Sequence, residues 1–355
     1  MVHMDQAVTV RKGEKLDEAR VEEFIHNTIP GLNGTFDIKQ FPSGHSNLTY
    51  LITVGNREMV LRRPPFGKKA KTAHDMGREY RVLSALNPVY PYCPRPLTYT
   101  EDSEIMGCPF YVMERIKGLI LRKEIPEGMN ISPENMTRLC ENLLKVLNEL
   151  HTIDYQAIGL GEFGKPEGYV KRQVTGWSKR YRAARTPDVP AAETLMTWLS
   201  EKMPRDTDRP CIIHNDFKFD NVVLDPKDPL RIIGVLDWEM TTIGDPLMDL
   251  GGSLAYWVEA GDPEELQRIR MLPTNYNGAL TRKQIADFYS QLSGRSIGDY
   301  DFYYCFGLFK LSVIAQQIYY RYYHGQTKDE RFKMFGFFVS ALFETAIKVI
   351  DQSRL

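Results

Sequence analysis

Asp216 and Asn221 lie five positions apart in the stretch IIHNDFKFDNVVL, residues 212–224, where an apolar run enters a polar turn and a second apolar run leaves it. That spacing suits phosphoryl transfer. A carboxylate must sit where it can orient a hydroxyl and accept its proton, and a neutral amide oxygen nearby can hold a divalent cation without adding repulsive charge. A second acidic position follows at Val235-Leu236-Asp237-Trp238-Glu239, with Asp237 16 residues after Asn221 at the end of a short apolar run. A hard cation such as Mg2+ takes oxygen ligands, and a carboxylate at a strand end suits that task. Glu239 is a further oxygen donor whose part is left open. His214, next to Asp216, is read as ordering the turn by hydrogen bonding rather than shuttling protons, because the aspartate needs no second base in this chemistry. Asp245 and Asp249 in GDPLMDL are read as braces of the turn and caps of the following helix, since aspartate favours helix starts.

These residues need a scaffold, and its elements are legible. Leu16 to Ile29 has apolar residues at helical spacing and stops at Pro30-Gly31. Residues 36–41, 48–54 and 59–61 read as short strands, with Gly55-Asn56 where a hairpin turn would fall. Ala73 to Leu86 reads as a helix and Phe110 to Met113 as another strand. Beyond Gly118 the chain becomes mostly helical. Ser132-Pro133 opens a helix that runs to about His151. Thr281 to Gln284 forms a capping box, with Gly294 as the stop. Two aromatic-rich helices, near Tyr303–Tyr323 and Glu330–Asp351, are read as core packing. Residues 185–192 and 203–210 are the most loop-like connections.

The two acidic motifs, HNDFKFDN and VLDWEMTTIGDPLMDLG, resemble the aminoglycoside phosphotransferase and choline kinase superfamily of small-molecule kinases. SGHSNLTYLI, VLRRPP, AHDMGREYRVLSAL and PFYVMERIKG match in order the branch of kinase-like domains associated with acyl-CoA dehydrogenases, so the resemblance covers most of the chain. It implies a bilobal, protein-kinase-like α+β fold, with a small N-lobe built on an antiparallel sheet (residues 1–115) and a larger, mostly helical C-lobe (residues 116–355). It implies Asp216 as the catalytic residue and Asn221 and Asp237 as the ligands of Mg2+. ATP would be held by the loop Ser43, Gly44, His45, Ser46 and Asn47 over its phosphates. Arg62 would stand where a phosphate-contacting lysine usually sits, paired with Glu79, while the neighbouring Arg63 points to the other face of the strand. Met113, Glu114, Arg115 and Ile116 would be the hinge that meets adenine. Two departures stand out. Arginine grips phosphate as a planar fork rather than a point charge. Asn215 replaces a customary glycine, and asparagine is the residue other than glycine most at ease in the left-handed conformation.

The implied activity is transfer of the γ-phosphate of ATP to a hydroxyl of a small molecule. A nucleotide-binding pseudokinase or scaffold without turnover stays open, and a protein kinase is disfavoured by the absence of an APE-like segment after Asp237. Between Lys165 and Arg185, seven basic residues face one opposing Glu167. That bias favours an anionic partner such as a hydroxyacyl-CoA over a polycationic aminoglycoside, although a solvated helix face explains it equally well. The 355 residues carry 45 Lys plus Arg against 46 Asp plus Glu, a formal charge of −1 that argues against a nucleic-acid-coating protein. The five cysteines are scattered and include no CxxC pair, so neither a disulfide framework nor a structural zinc site is expected. No apolar run of about 18 residues suggests a membrane span. Met1-Val2-His3-Met4-Asp5 lacks the pattern of a signal peptide, so a cytoplasmic location is expected.

Overall fold

A computed structural model describes residues 6–42, 47–66, 75–298 and 300–355. The chain forms the two-lobed α+β arrangement expected from its sequence. It opens with α1 (Glu18–Thr28), whose N-terminus is capped by the Asp17 carboxylate accepting from Arg20 N. Then come β1 (Phe36–Gln40), β2 (Leu48–Val54) and β3 (Arg57–Arg63), an antiparallel meander. Gly55 turns the β2–β3 hairpin with a φ of 57°, and a Cβ there would lie 2.3 Å from Asn33 O, so only glycine fits.

Next are α2 (Met76–Leu86), β4 (Pro96–Thr100), the short α3 (Ser103–Met106) and β5 (Phe110–Glu114). The five strands run in the order β1-β2-β3-β5-β4, with every neighbouring pair antiparallel. Strand β4 was not expected. It is an edge strand of five residues that begins at proline and has a register shift between Pro96 and Thr98, so its sequence signal is short and broken at its start. One sheet face packs on α1 through Val21, Ile25, Tyr50, Ile52, Leu61 and Phe110. Residues reaching toward α2, among them Val60, Tyr111 and Met113, join the main core.

The first helix of the larger lobe is α4 (Pro133–Thr152), with Ser132 as cap and proline in the first turn. Helices α5 (Tyr169–Ala184) and α6 (Glu193–Glu201) follow, separated by one of the two expected loops. Four short strands come next: β6 (Cys211–Ile213), β7 (Val222–Leu224), β8 (Ile232–Val235) and β9 (Thr242–Gly244). They pair as β6 with β9 and β7 with β8, and the turns between them carry both acidic motifs. The chain ends with α7 (Pro246–Ala255), α8 (Glu264–Ile269), α9 (Arg282–Ser293), α10 (Asp301–Tyr323) and α11 (Phe335–Gln352). The capping box on α9 is present, and Gly294 ends that helix. Residues 330–334, expected as the start of the last helix, form a 3-10 turn before α11. Phe302, Tyr303, Tyr304, Phe306 and Phe309 in the first half of α10 are core, as expected, whereas Tyr323 at its end is exposed. All five cysteines are buried and free. No helix of the described residues is long and apolar enough to cross a membrane.

Helices α7 and α10 cross at two glycines. A Cβ on Gly251 would fall 2.3 Å from Tyr303 O, and one on Gly307 would fall 2.1 Å from Gly251 O. Backbone cannot yield as a flexible side chain can, so Gly307→Ala should cost about 1–3 kcal/mol as an overpacking change. Because Asp249 on α7 accepts from the backbone of His214 and Asn215, the turn that carries Asp216 should be disturbed with it. Urea denaturation checks this, and a variant as stable as the parent would show that the crossing has slack.

Candidate active site

Strand β6 delivers the chain to His214, and three features fix the turn that follows. Asn215 sits at φ 66°, the left-handed conformation anticipated for it. The Asp249 carboxylate, fully buried on α7, accepts from His214 N and Asn215 N, each at 2.7 Å. It also meets His151 Nε2 at 3.1 Å, and His151 Nδ1 is 2.6 Å from the Tyr289 hydroxyl. Burial by itself would raise the Asp249 carboxyl. The bonds from His151 and the nearby His214 hold it below the usual range. Asp245 caps α7 through Leu247 N at 2.8 Å. The brace and the cap lie where the sequence placed them.

The ring of His214 is fully buried. Its Nε2 lies 2.9 Å from Leu236 O and its Nδ1 3.3 Å from Asp216 N. One neutral tautomer satisfies both contacts, with Nε2–H donating to Leu236 and Nδ1 accepting from Asp216 N. Burial pushes the pKa of His214 down, against the pull of Asp249 and Asp216. The unfolded chain therefore binds a proton here that the folded chain refuses. Stability contributed by this group is full above the ordinary histidine value of about 6.5 and is lost as pH falls below it. Urea midpoints should drop between about pH 7 and pH 5.5, and His214→Gln should flatten that part of the profile. A wild-type midpoint constant over this window would remove histidine from the account.

Asp216 projects from the turn. Its Oδ2 accepts from Asn221 Nδ2 at 2.9 Å and from Lys218 Nζ. The Asn221 amide also donates to Asp216 O at 2.8 Å. With its nitrogen so used, Asn221 has its side-chain oxygen, Oδ1, left to offer a cation. Leu236 N donates to Asn221 O at 2.8 Å, which brings the second acidic motif beside the first. Asp237 then adopts φ 66°, a left-handed conformation that the sequence did not reveal.

Lys218 is buried. It pairs with Asp216 and, at 3.4 Å, with Asp220, and it faces the Tyr256 ring at 5.0 Å. Burial would lower its pKa, but Asp216, Tyr256 and Asp220 reverse the sign and keep it charged. Burial also raises the Tyr256 hydroxyl, which hydrogen-bonds Asp216. Neither Lys218 nor Tyr256 was singled out from sequence. Lys218 stands two residues after Asp216, so its place in the turn was visible, whereas Tyr256 arrives only through the packing of α7.

The small lobe supplies the facing wall. Arg62 on β3 donates to Glu79 Oε1 on α2 at 2.6 Å, to Asp237 Oδ1 at 3.0 Å and to Glu239 Oε2 at 3.3 Å. The pairing with Glu79 is thus as anticipated. Burial would lower the Arg62 pKa, but Glu79, Asp237 and Glu239 hold it well above its ordinary value. The same arginine keeps the Asp237 carboxyl below its usual range in spite of burial. Asn47 Nδ2 donates to Glu239 Oε2 at 2.6 Å. Arg63 turns away, with its guanidinium 3.7 Å from the centre of the Phe66 ring. Ser43, Gly44, His45 and Ser46 lie outside the described residues. Met113 and Glu114 end β5, and Glu114 N donates to Arg95 O at 2.8 Å. Ile116 packs on Gly234 of β8, so this stretch is the connection from the sheet to the β7–β8 ribbon.

The donor set suits magnesium. Asn221 and Asp237 offer hard oxygens, and no cluster of three acidic, histidine or cysteine ligands exists among the described residues. Mg2+ commonly takes one or two protein oxygens and completes its shell with water and substrate phosphates.

Residues 37–276 match the pattern of the family described as the phosphotransferase enzyme family. The chain belongs to that family. A rat protein named acyl-CoA dehydrogenase family member 11 is 33% identical to this phosphotransferase over 348 residues, or 96% of this chain and 44% of that protein. The chain thus spans less than half of that relative's length. A crystal structure from Ralstonia eutropha JMP134, provisionally assigned as an aminoglycoside phosphotransferase, is 30% identical with a TM-score of 0.81, covering 96% of this chain and all of that one. Choline kinase from Cryptosporidium parvum Iowa II has the same fold at 13% identity, with a TM-score of 0.65 over 95% of this chain and 96% of that one. So does an aminoglycoside phosphotransferase solved with AMP-PNP and hygromycin B, at 14% identity and a TM-score of 0.57 over 93% and 98% of the two chains. The phosphotransferase therefore has the bilobal, protein-kinase-like fold.

Proposed function

We propose that this phosphotransferase moves the γ-phosphoryl group of ATP to a hydroxyl of a small molecule, with Mg2+ as cofactor. The observation that carries the reading is the meeting of Asp216, Asn221 and Asp237 across two short ribbons, with the Arg62–Glu79 pair facing them from the small lobe. The nucleotide would lie between lobes divided near residues 115 and 116. Its adenine would meet Met113, Glu114 and Ile116, and its phosphates would lie under residues 43–47. A relative of the same fold was solved with AMP-PNP, which supports a nucleotide as ligand.

Asp216 orients the acceptor hydroxyl. As the oxygen attacks the γ-phosphorus and the bond to ADP breaks, the hydroxyl proton passes to the Asp216 carboxylate. Asn221 and Lys218 hold that carboxylate, so it need not reorganise during the step. Arg62, locked by Glu79, steadies the phosphates. A bound Mg2+, held by Asn221 and Asp237, supplies charge neutralisation on the phosphate oxygens.

The basic run from Lys165 to Arg185 favours an acceptor with negative charge, such as a hydroxyacyl-CoA, over a polycation. The named relatives are acyl-CoA dehydrogenase family members, which supports the same direction. A cytoplasmic setting and a small-molecule partner, without nucleic acid or membrane, complete the proposal. Transfer of labelled γ-phosphate from ATP to a pool of hydroxyacyl-CoAs, aminoglycosides, choline and homoserine tests it. A labelled product lost in Asp216→Ala is expected. Mg-ATP binding with no acceptor ever labelled would favour a pseudokinase.

A further inference from the structure

Helices α5 and α10 meet beside the catalytic turn, and two cations meet there with them. Lys310, in the middle of α10, is 8% exposed. Its ammonium donates to Asn215 O at 2.9 Å, the carbonyl of the residue immediately before Asp216. It also lies 6.0 Å from the centre of the Trp177 ring on α5, and the Arg180 guanidinium lies 4.4 Å from the centre of the same ring. An ammonium can donate three hydrogen bonds, and Lys310 makes one among the described residues.

The surrounding negative charge is already committed. Asp249 accepts from His151, His214 N and Asn215 N. Asp216 accepts from Lys218 and Asn221. No carboxylate pairs with Lys310 or Arg180 among the described residues. The other basic residues of this run that have partners are occupied structurally. Arg172 donates to the carbonyls of Lys165 and Glu167, and Arg182 pairs with Glu193 at 2.7 Å. Within the run, Arg172 and Arg182 thus hold the fold, and Arg180 shares an aromatic platform with a buried lysine. A buried, charged lysine without an anionic partner is costly. Burial pulls the Lys310 pKa down even though Asp216 and Asp249 oppose it, a cost that an arriving anion would relieve.

We propose that Lys310 and Arg180, set on Trp177, form the acceptor-recognition site, and that the acceptor carries an oxyanion close to the hydroxyl that Asp216 orients. The chemistry recognised is a carboxylate or a phosphate monoester within a few bonds of the reacting hydroxyl. This rests on the proposed phosphoryl transfer, and it replaces the hydroxyacyl-CoA suggested by the basic run with an acceptor whose negative charge lies beside its hydroxyl. A remote phosphate, such as those at the far end of a coenzyme A thioester, would not reach this pair while the acyl-chain hydroxyl sits at Asp216. Polycationic acceptors meet two positive charges and are excluded.

The test uses matched acceptors: 4-hydroxybutyrate, glycerol 3-phosphate, 4-hydroxybutyryl-CoA, and the neutral pair 1,4-butanediol and glycerol. Binding is measured by calorimetry on the Asp216→Asn protein saturated with Mg-AMP-PNP, so it does not depend on turnover. Label transfer is measured on the Asp216 protein. At least one of the two compounds with a nearby oxyanion should bind at least about tenfold more tightly than its neutral analogue, the size of one lost charged hydrogen bond. That preference should vanish in Lys310→Met and weaken in Arg180→Gln, while Mg-AMP-PNP affinity stays unchanged. Arg180 is exposed, so its replacement does not endanger the fold.

Preference for 4-hydroxybutyrate assigns the site to a carboxylate, and preference for glycerol 3-phosphate assigns it to a phosphate. Lys310-dependent binding without label transfer would support the site and overturn the kinase reading. Equal binding of charged and neutral members, binding of the thioester alone, no binding by any member, or a preference that survives both substitutions would overturn the site. Label transfer to a neutral acceptor at an undiminished rate would do the same while leaving the kinase reading intact.

Discussion

Asp216→Ala should lower kcat by about three orders of magnitude, within the range for a positioned acid–base group, while Mg-ATP affinity changes by less than about threefold. The split follows from the geometry. Asp216 belongs to the acceptor side of the site, held by Lys218, Asn221 and Tyr256, whereas the Arg62–Glu79 pair on the opposite wall does not touch it. Removing the carboxylate also leaves the Lys218 ammonium with Asp220 as its remaining ion-pair partner, so the variant should be somewhat less stable than the parent. Asp216→Asn is the control. It keeps the hydrogen-bonding shape and loses the ability to take a proton, so it should be nearly as slow but closer to wild-type stability. Single-turnover transfer with calorimetric nucleotide binding separates the effects. Wild-type turnover in either variant would remove Asp216 from its role.

The second large effect is expected at Asp237. Asp237→Ala should weaken Mg-ATP binding by roughly a hundredfold, since even partners one shell out from a metal commonly cost 10- to 100-fold. It should also shift the magnesium requirement to higher concentration. The loss should be specific to the metal-bound nucleotide, because Arg62 keeps its bond to Glu79 when Asp237 is gone. The substitution carries a second strain, since alanine tolerates the left-handed backbone at this position poorly. Asp237→Asn separates the two causes: it accepts that backbone more readily and keeps one oxygen, so its defect should be the smaller. Nucleotide affinity titrated against Mg2+ reads the result, and an unchanged magnesium dependence in Asp237→Ala would show that the cation is held elsewhere.

Much of the fold was legible because its signals are local. Ser132-Pro133 starts a helix through one side-chain bond and one ring constraint, and Thr281 with Gln284 closes a capping box within one turn. Asn215 announced its own backbone conformation, since few residues tolerate it. Strand β4 was missed for the converse reason. Its pairing with β5 depends on a shifted register, and its five residues open on a proline that reads as a break. The 3-10 turn at 330–334 was likewise hidden inside a run whose apolar content reads as continuous helix.

The chemical residues divide along the same line. Asp216, Asn221 and Asp237 stood out because their spacing within two short turns is itself the requirement of the chemistry, and a chain of these residues in this order carries that information without folding. The tertiary structure alone decided what surrounds them. His151 reaches Asp249 across 98 residues of sequence, Tyr289 reaches His151 across 138, and Lys310 reaches Asn215 across 95. Such contacts leave no periodicity and no motif, because each depends on how two helices cross and not on the neighbours of either residue. The sequence by itself therefore brought out the residues proposed for the chemistry. Packing alone decided that Arg172 and Arg182 of the basic run hold the fold, and that Arg180 shares the Trp177 ring with Lys310, which lies outside that run.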